Sequence, residues 1–265
     1  MTQAKYANVN GLNMYYEIHG GGQPLILLHG AFSAIGTSFG EPLPEHAKTR
    51  QVIAFEMQAH GRTADIDRPL TIEHMADDTA AALQQLGIKN ADFFGYSMGA
   101  SIALHIAIRH PALVRKLVLA SVTYNLDGLH PGLMEGMENM KPEDMAGSPW
   151  HEEYTRIAPH PEAFARLFAK KTQMDREIKD LPAEAIQAVK APVLLIIGDS
   201  DIVRPEHAVE MFRLLGGGVV GDIAGLPNSQ LAVLPGTTHV TLVYRADLLL
   251  SIIPPFLDAP MPEAE

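Results

Sequence analysis

Short apolar runs, each ending in a polar loop, recur along this chain, and stretches with helical spacing separate several of them. "LILLHG", "RQVIAFEMQAHG", "ADFFGYS", "RKLVLAS", "APVLLIIGDSD" and "SQLAVLPGTTH" share this form. Leu25–Leu28 is apolar at every position, so both faces of the strand it forms must be covered. "LNMYYEIHGGGQPLILLHG" reads as two strands around a glycine-rich turn. "TIEHMADDTAAALQQLG" repeats Ile72, Met75, Ala76, Thr79, Leu83 and Leu86 at helical spacing, and Gly87 fits the position just past a helix end. A second helix, from about Met98 to His110, is stopped by Pro111. Strands alternating with helices imply βαβ units and a mainly parallel sheet with helices on both faces.

One stretch breaks this rhythm. From about Tyr124 to Val189 there is no β-branched run, and helical pieces such as "PEAFARLFAKKTQM" take its place. The expected organisation is an α/β core of residues 1–123 and 190–265, with 124–189 as a helical cap inserted between two strands. With 265 residues, 47% of them hydrophobic, such a core needs no cross-links. The final "MPEAE" is expected to fray.

Charge and composition remove whole classes of function. The formal charge is −11, with 20 Lys and Arg against 31 Asp and Glu, which argues against a nucleic-acid partner. The absence of cysteine excludes disulfide frameworks, thiolate metal sites and cysteine nucleophiles. No H-E-x-x-H occurs, and His151-Glu152-Glu153 lacks ligand spacing, so no metal or other cofactor is expected. "MTQAKYANVNGLNMYYEI" does not read as a signal peptide, and no apolar run approaches the roughly 18 residues of a membrane span. The expectation is a cytoplasmic protein with no membrane partner. No feature of the sequence sets an oligomeric state.

The candidate chemistry begins at Gly95-Tyr96-Ser97-Met98-Gly99, a G-x-S-x-G between an apolar run and a helix. A serine displayed on a sharp strand-to-helix turn needs small neighbours so that strand and helix can approach closely. The helix start behind it favours developing negative charge. A serine hydroxyl becomes a nucleophile when a histidine takes its proton, and that histidine needs a carboxylate to hold its tautomer. "VLLIIGDSDIV" offers Asp199 and Asp201, of which Asp201 has the spacing from Gly198 to turn toward the histidine. "LAVLPGTTHVTLV" offers His239, which among twelve histidines follows the last strand in the required chain order. Oxyanion donors are expected from the backbone of Met98 and of Ala31 or Phe32, with His29 ordering the latter loop.

"HGAFS", "QAHGRT", "GYSMG", "GDSD" and "PGTTH" together resemble the α/β-hydrolase superfamily, in particular its small esterases with a short helical cap. The likeness runs from about Tyr6 to Leu257. It implies a mainly parallel eight-stranded sheet, Ser97 as nucleophile, Asp201 as acid, His239 as base, and the amides of Ala31 and Met98 as oxyanion donors. The chain departs from the usual D-x-x-G-H-G-x-S by carrying Glu56, Ala59 and Thr63, and it has Thr238 where relatives often have glycine. Relatives that open epoxides or remove halides attack with aspartate, so Ser97 argues against both activities.

The expected function is hydrolysis of a small or medium uncharged carboxylic ester or lactone through an acyl-enzyme. Phe32, Met98, Trp150 and Val240 are the candidates for substrate contact. Met134, Met137, Met140, Met145, Phe164, Phe168 and Met174 suggest an adaptable apolar lid. No lysine or arginine sits in a motif that would clamp a carboxylate. C–C bond hydrolysis or perhydrolase and haloperoxidase-like chemistry would use the same residues, and a slow-turnover ligand receptor would retain them.

Overall fold

The computed structural model describes residues 3–262, so the last three residues of "MPEAE" lie outside it. Eight strands form one sheet in the order β1-β2-β4-β3-β5-β6-β7-β8. They are β1 (Gln3–Val9), β2 (Leu12–Gly20), β3 (Gln23–Leu28), β4 (Arg50–Phe55), β5 (Ala91–Tyr96), β6 (Val114–Ala120), β7 (Val193–Ser200) and β8 (Gln230–Thr238). β1 pairs antiparallel with β2, and β2 antiparallel with β4. From β4 onward every pairing is parallel. Strand β1 has no counterpart among the apolar runs of the sequence. It lies at the sheet edge with most of its residues exposed, so no alternation marks it.

The helices are α1 (Ile35–Phe39), α2 (Pro42–His46), α3 (Ile72–Gln85), α4 (Met98–Arg109), α5 (Leu133–Asn139), α6 (Pro149–Ile157), α7 (Phe164–Glu177), α8 (Ala183–Gln187), α9 (Pro205–Leu214), α10 (Gly221–Ala224) and α11 (Ala246–Asp258). Alternate residues of each central strand feed different cores. Ile26, Leu28, Phe93, Leu117 and Leu119 pack with Ile72, Met75, Ile102 and Met211 of α3, α4 and α9. Leu25, Leu27, Phe94, Val118 and Leu194 pack with Ile35, Phe39, Leu249, Ile253 and Phe256 of α1 and α11. This two-sided burial is the physical reason the parallel strands are apolar throughout.

Between β6 and β7 the described residues form only helices and short 3-10 turns, with one isolated bridge, Leu129 to Val203, tying them to the loop after β7. Phe164, Leu167, Phe168 and Met174 of α7 pack into the same core as α3 and α4. The insertion therefore sits over the α4 face of the sheet, beside the carboxyl ends of the strands. At the other end of β5, Asp92 is fully buried and takes hydrogen bonds from Arg50 (2.8 Å) and Arg115 (2.7 and 2.6 Å). This ion cluster is remote from the site described next.

Candidate active site

Ser97 follows β5 directly and precedes the first residue of α4. Its backbone is left-handed, with φ 54° and ψ −119°. A non-glycine residue in this conformation is strained and persists only where its surroundings enforce it. Here the two motif glycines do so. A Cβ on Gly95 would lie 2.3 Å from the carbonyl oxygen of Gly99, and one on Gly99 would lie 1.9 Å from that of Leu28. Strand and helix thus meet with no room for a side chain, and the Ser97 hydroxyl is presented above the sheet.

Three loops from separate strand ends converge on that hydroxyl. His239, just past β8, places Nε2 3.0 Å from Ser97 Oγ. Its Nδ1 lies 2.9 Å from Asp201 Oδ1, past the end of β7. Asp201 also accepts from the amides of Gly198 (3.1 Å) and Val203 (3.3 Å) and from the Ser121 hydroxyl. Burial pushes its carboxyl up, but the imidazole, the Ser121 hydroxyl and the Gly198 amide outweigh burial and hold it below the ordinary carboxylate value. Such a chain can carry a proton from the hydroxyl to the ring while the carboxylate balances the resulting charge.

Asp199 faces elsewhere. It accepts from the amides of Gly236 (2.8 Å) and Thr237 (3.1 Å), and these bonds hold its carboxyl below the usual range. It braces the loop that carries His239 without touching the ring. Thr238, which replaces a glycine common among relatives, bonds Thr241 hydroxyl to hydroxyl at 3.0 Å, straddling His239. The Tyr96 hydroxyl donates to the His239 carbonyl at 2.8 Å.

The loop after β3 is equally tied. His29 Nδ1 donates to the Gly30 carbonyl at 2.7 Å, and its Nε2 accepts the Met57 amide at 3.0 Å. Only a neutral imidazole can do both, and burial lowers His29 to about 4. The Ser33 amide bonds the Gly30 carbonyl at 3.3 Å, closing a turn in which Phe32 has φ 59°. The amides of Ala31 and Phe32 lie outside that turn bond. The Met98 amide, at the first position of α4, has no partner within the helix. Glu56 and Thr63, which depart from the common motif, are both buried. Glu56 accepts the amides of Ile35 and Arg62, and Thr63 donates to the Glu56 carbonyl at 2.7 Å, joining the neighbouring loop to α1.

A cleft of about 120 Å³ opens over Ser97. Ala31, Met98, Met134, Met137 and Met174 line it, together with the hydroxyls of Ser101, Ser121 and Thr123. Of the four expected contacts, Met98 alone forms part of this wall. Phe32 turns its ring onto Phe168 at 5.3 Å, Trp150 packs against the α4-side core, and Val240 stands at the surface. Met145, Phe164 and Phe168 are core residues, and Met140 is exposed. Ser121, Lys171 and Asp175 at the site carry no signal in the sequence motifs, and Tyr96 occupies a variable position of G-x-S-x-G. Ser121 ends an apolar run and has φ 55°. Lys171 lines the cleft beside Asp175.

A mainly parallel eight-stranded sheet, with polar side chains gathered at the carboxyl ends of its strands, places the protein in the α/β-hydrolase class. The chain belongs to the alpha/beta hydrolase fold family, whose model matches residues 23–178. It is 27% identical over 272 residues to "Uncharacterized hydrolase YugF" of Bacillus subtilis (strain 168), across 94% of this chain and 96% of that one. A shorter likeness, 36% identical over 115 residues, relates it to a 2-hydroxymuconate semialdehyde hydrolase of Pseudomonas sp. (strain CF600), covering 41% of this chain and 40% of the other. Among solved structures, the enol-lactonase from Burkholderia xenovorans LB400 matches with a TM-score of 0.72 at 20% identity, over 96% of this chain and 100% of that one. The protein is a hydrolase of this fold. No helix among the described residues is long and apolar enough to cross a membrane.

Proposed function

We propose that the protein cleaves a small or medium uncharged carboxylic ester or lactone through an acyl-enzyme on Ser97. The observation that carries this reading is the continuous chain Ser97 Oγ, His239 Nε2, His239 Nδ1, Asp201 Oδ1, with contacts of 3.0 and 2.9 Å. Ser97 Oγ attacks the carbonyl carbon as its proton passes to His239 Nε2. The oxyanion forms against the amides of Met98 and Ala31, with Phe32 the alternative second donor, each donor contributing on the order of 3 kcal/mol. The tetrahedral adduct collapses, and the leaving alkoxide takes the proton from His239. Water then attacks the acyl carbon, giving a proton to His239, and the acid departs as Ser97 recovers its own. In a lactone the released hydroxyl stays tethered to the acyl group. The helices of 124–189 act as the lid over this site.

The mostly apolar cleft supports an uncharged substrate, and the likeness to an enol-lactonase keeps lactones beside esters among the candidates. The test is a panel of p-nitrophenyl esters of rising chain length and several lactones, assayed with the natural chain and with Ser97→Ala. Expected is turnover by the former, a loss of at least about 10³-fold in the variant, and an unchanged melting temperature. Turnover that survives Ser97→Ala sinks the nucleophile assignment. Cleavage of a β-diketone in place of every ester and lactone transfers the same residues to C–C hydrolysis, the chemistry suggested by the semialdehyde hydrolase.

A further inference from the structure

Two adjacent lysines on α7 meet very different surroundings. Lys170 donates to Asp65 Oδ1 (2.8 Å) and to the carbonyls of Ile66 (2.8 Å) and Arg68 (2.9 Å), so each of its three protons has a protein acceptor. Lys171 turns the other way, into the wall of the cleft over Ser97, with its side chain only 7% exposed. Its Nζ lies 2.6 Å from each oxygen of Asp175, one helical turn on. Beyond that carboxylate stand the Phe32 ring, at 5.9 Å, the outer reach of a cation–π contact, and the buried His60 imidazole, whose pKa the ammonium helps to lower but whose Nε2 takes no hydrogen bond from it.

Lys171 and Asp175 are the charged members of the cleft wall; the others are apolar or carry hydroxyls. A buried ammonium costs free energy until all its donors are used. Asp175 offers two oxygens to three N–H groups, which leaves one donor for an acceptor entering the cleft. The sign of that acceptor follows from Asp175. With the ammonium already neutralised, a substrate carboxylate would put two negative groups around one cation in an apolar wall. A keto, ether or hydroxyl oxygen completes the ammonium without that repulsion. A plain alkyl chain leaves the donor unmet.

Resting on the ester-hydrolase reading above, we infer that Lys171 and Asp175 form a specificity filter that selects substrates bearing an uncharged oxygen acceptor and rejects those bearing a carboxylate. Lys171 supplies the attraction. Asp175 supplies the rejection, by occupying the place a carboxylate would take.

A matched series of ethyl esters reads this out: pentanoate, 3-oxopentanoate, 4-oxopentanoate and monoethyl succinate. The natural chain is expected to favour at least one oxo ester over pentanoate by about tenfold or more in kcat/KM, and to place monoethyl succinate last. Lys171→Met should bring the oxo-to-alkyl ratio to near one. Asp175→Asn keeps the shape but removes the neutralising charge, and should raise monoethyl succinate against pentanoate by about tenfold or more. Equal kcat/KM across the series, or variants that lower every ester while preserving both ratios, overturns the filter and makes the pair a structural tie within α7. Failure of the natural chain to cleave any of the four, or any p-nitrophenyl ester, instead overturns the ester-hydrolase reading beneath it.

Discussion

Asp199 and Asp201 leave the same end of β7, yet they take hydrogen bonds from different loops. Asp201 meets the His239 ring at 2.9 Å, while Asp199 meets the Gly236 and Thr237 amides at 2.8 and 3.1 Å. Their amide variants should therefore differ in kind. In Asp201→Asn the new amide can present N–H to Nδ1, which favours the tautomer with its proton on the wrong nitrogen. A fall of about 10³–10⁴-fold in kcat is expected, with KM little changed. Asp199→Asn keeps one acceptor for its two amides and should lower kcat by less than about tenfold, while reducing the melting temperature as the His239 loop loosens. Steady-state kinetics on one p-nitrophenyl ester decides between them. The reverse ranking would move the acid to Asp199 and require the loop to rearrange on binding.

At the scale of elements, α7 is docked by Phe164, Leu167, Phe168 and Met174 in the core and by Arg166 and Lys170 on Asp65, with Lys170 making the most polar contacts. Lys170 joins the helix to residues 65–68, and Gln58 Nε2 donates to the same Asp65 carboxylate at 2.9 Å. Lys170→Met removes three hydrogen bonds, one of them to a carboxylate, and should cost about 1–3 kcal/mol in a urea melt. Amide exchange should rise in α7 and at residues 65–68 before it rises in the sheet; unchanged exchange there would show the clamp carries no load. This is also where the sequence becomes illegible. Leu25–Leu28 announces a strand because both of its faces are buried, and Ser97, Asp201 and His239 are marked by strand ends in a fixed chain order. The insertion has no such rule. Lys170 and Lys171 are the same residue side by side, and only the helix phase sends one to the core loop and the other to the cleft. Trp150 looks like a pocket aromatic by composition, yet it packs against the core. Strand β1 escapes notice because an exposed edge has no pattern to keep.

Across the whole molecule, buried histidines set the response to acid. Burial lowers His29 and His46 to about 4, and burial with the neighbouring His29 lowers His60 to about 3, from an ordinary 6.5. Their unfolded forms take up protons below 6.5 while the folded forms stay neutral. The stability they contribute is thus present above 6.5 and lost as pH falls toward 4, at about 1.4 kcal/mol for each unit of depression. Glu56 opposes them, since burial raises its carboxyl to about 7 from 4.5 and its ionisation costs stability as pH climbs through that window. Burial also lowers His207 and raises Asp92, one group on each side, so the histidines still outnumber the carboxyls and the net slope between 4.5 and 6.5 favours the neutral side. The unfolding free energy should fall steadily from pH 6.5 to 4.5, and His46→Met, away from the cleft, should make that fall shallower. A slope identical in His46→Met and the natural chain would remove His46 from the account. The same titration reaches the site, because a protonated His29 can no longer accept the Met57 amide at 3.0 Å. While the chain is still folded near pH 4, hydrolysis should therefore fall as His29 takes up its proton and return on neutralisation; activity that is unchanged there would separate His29 from the site.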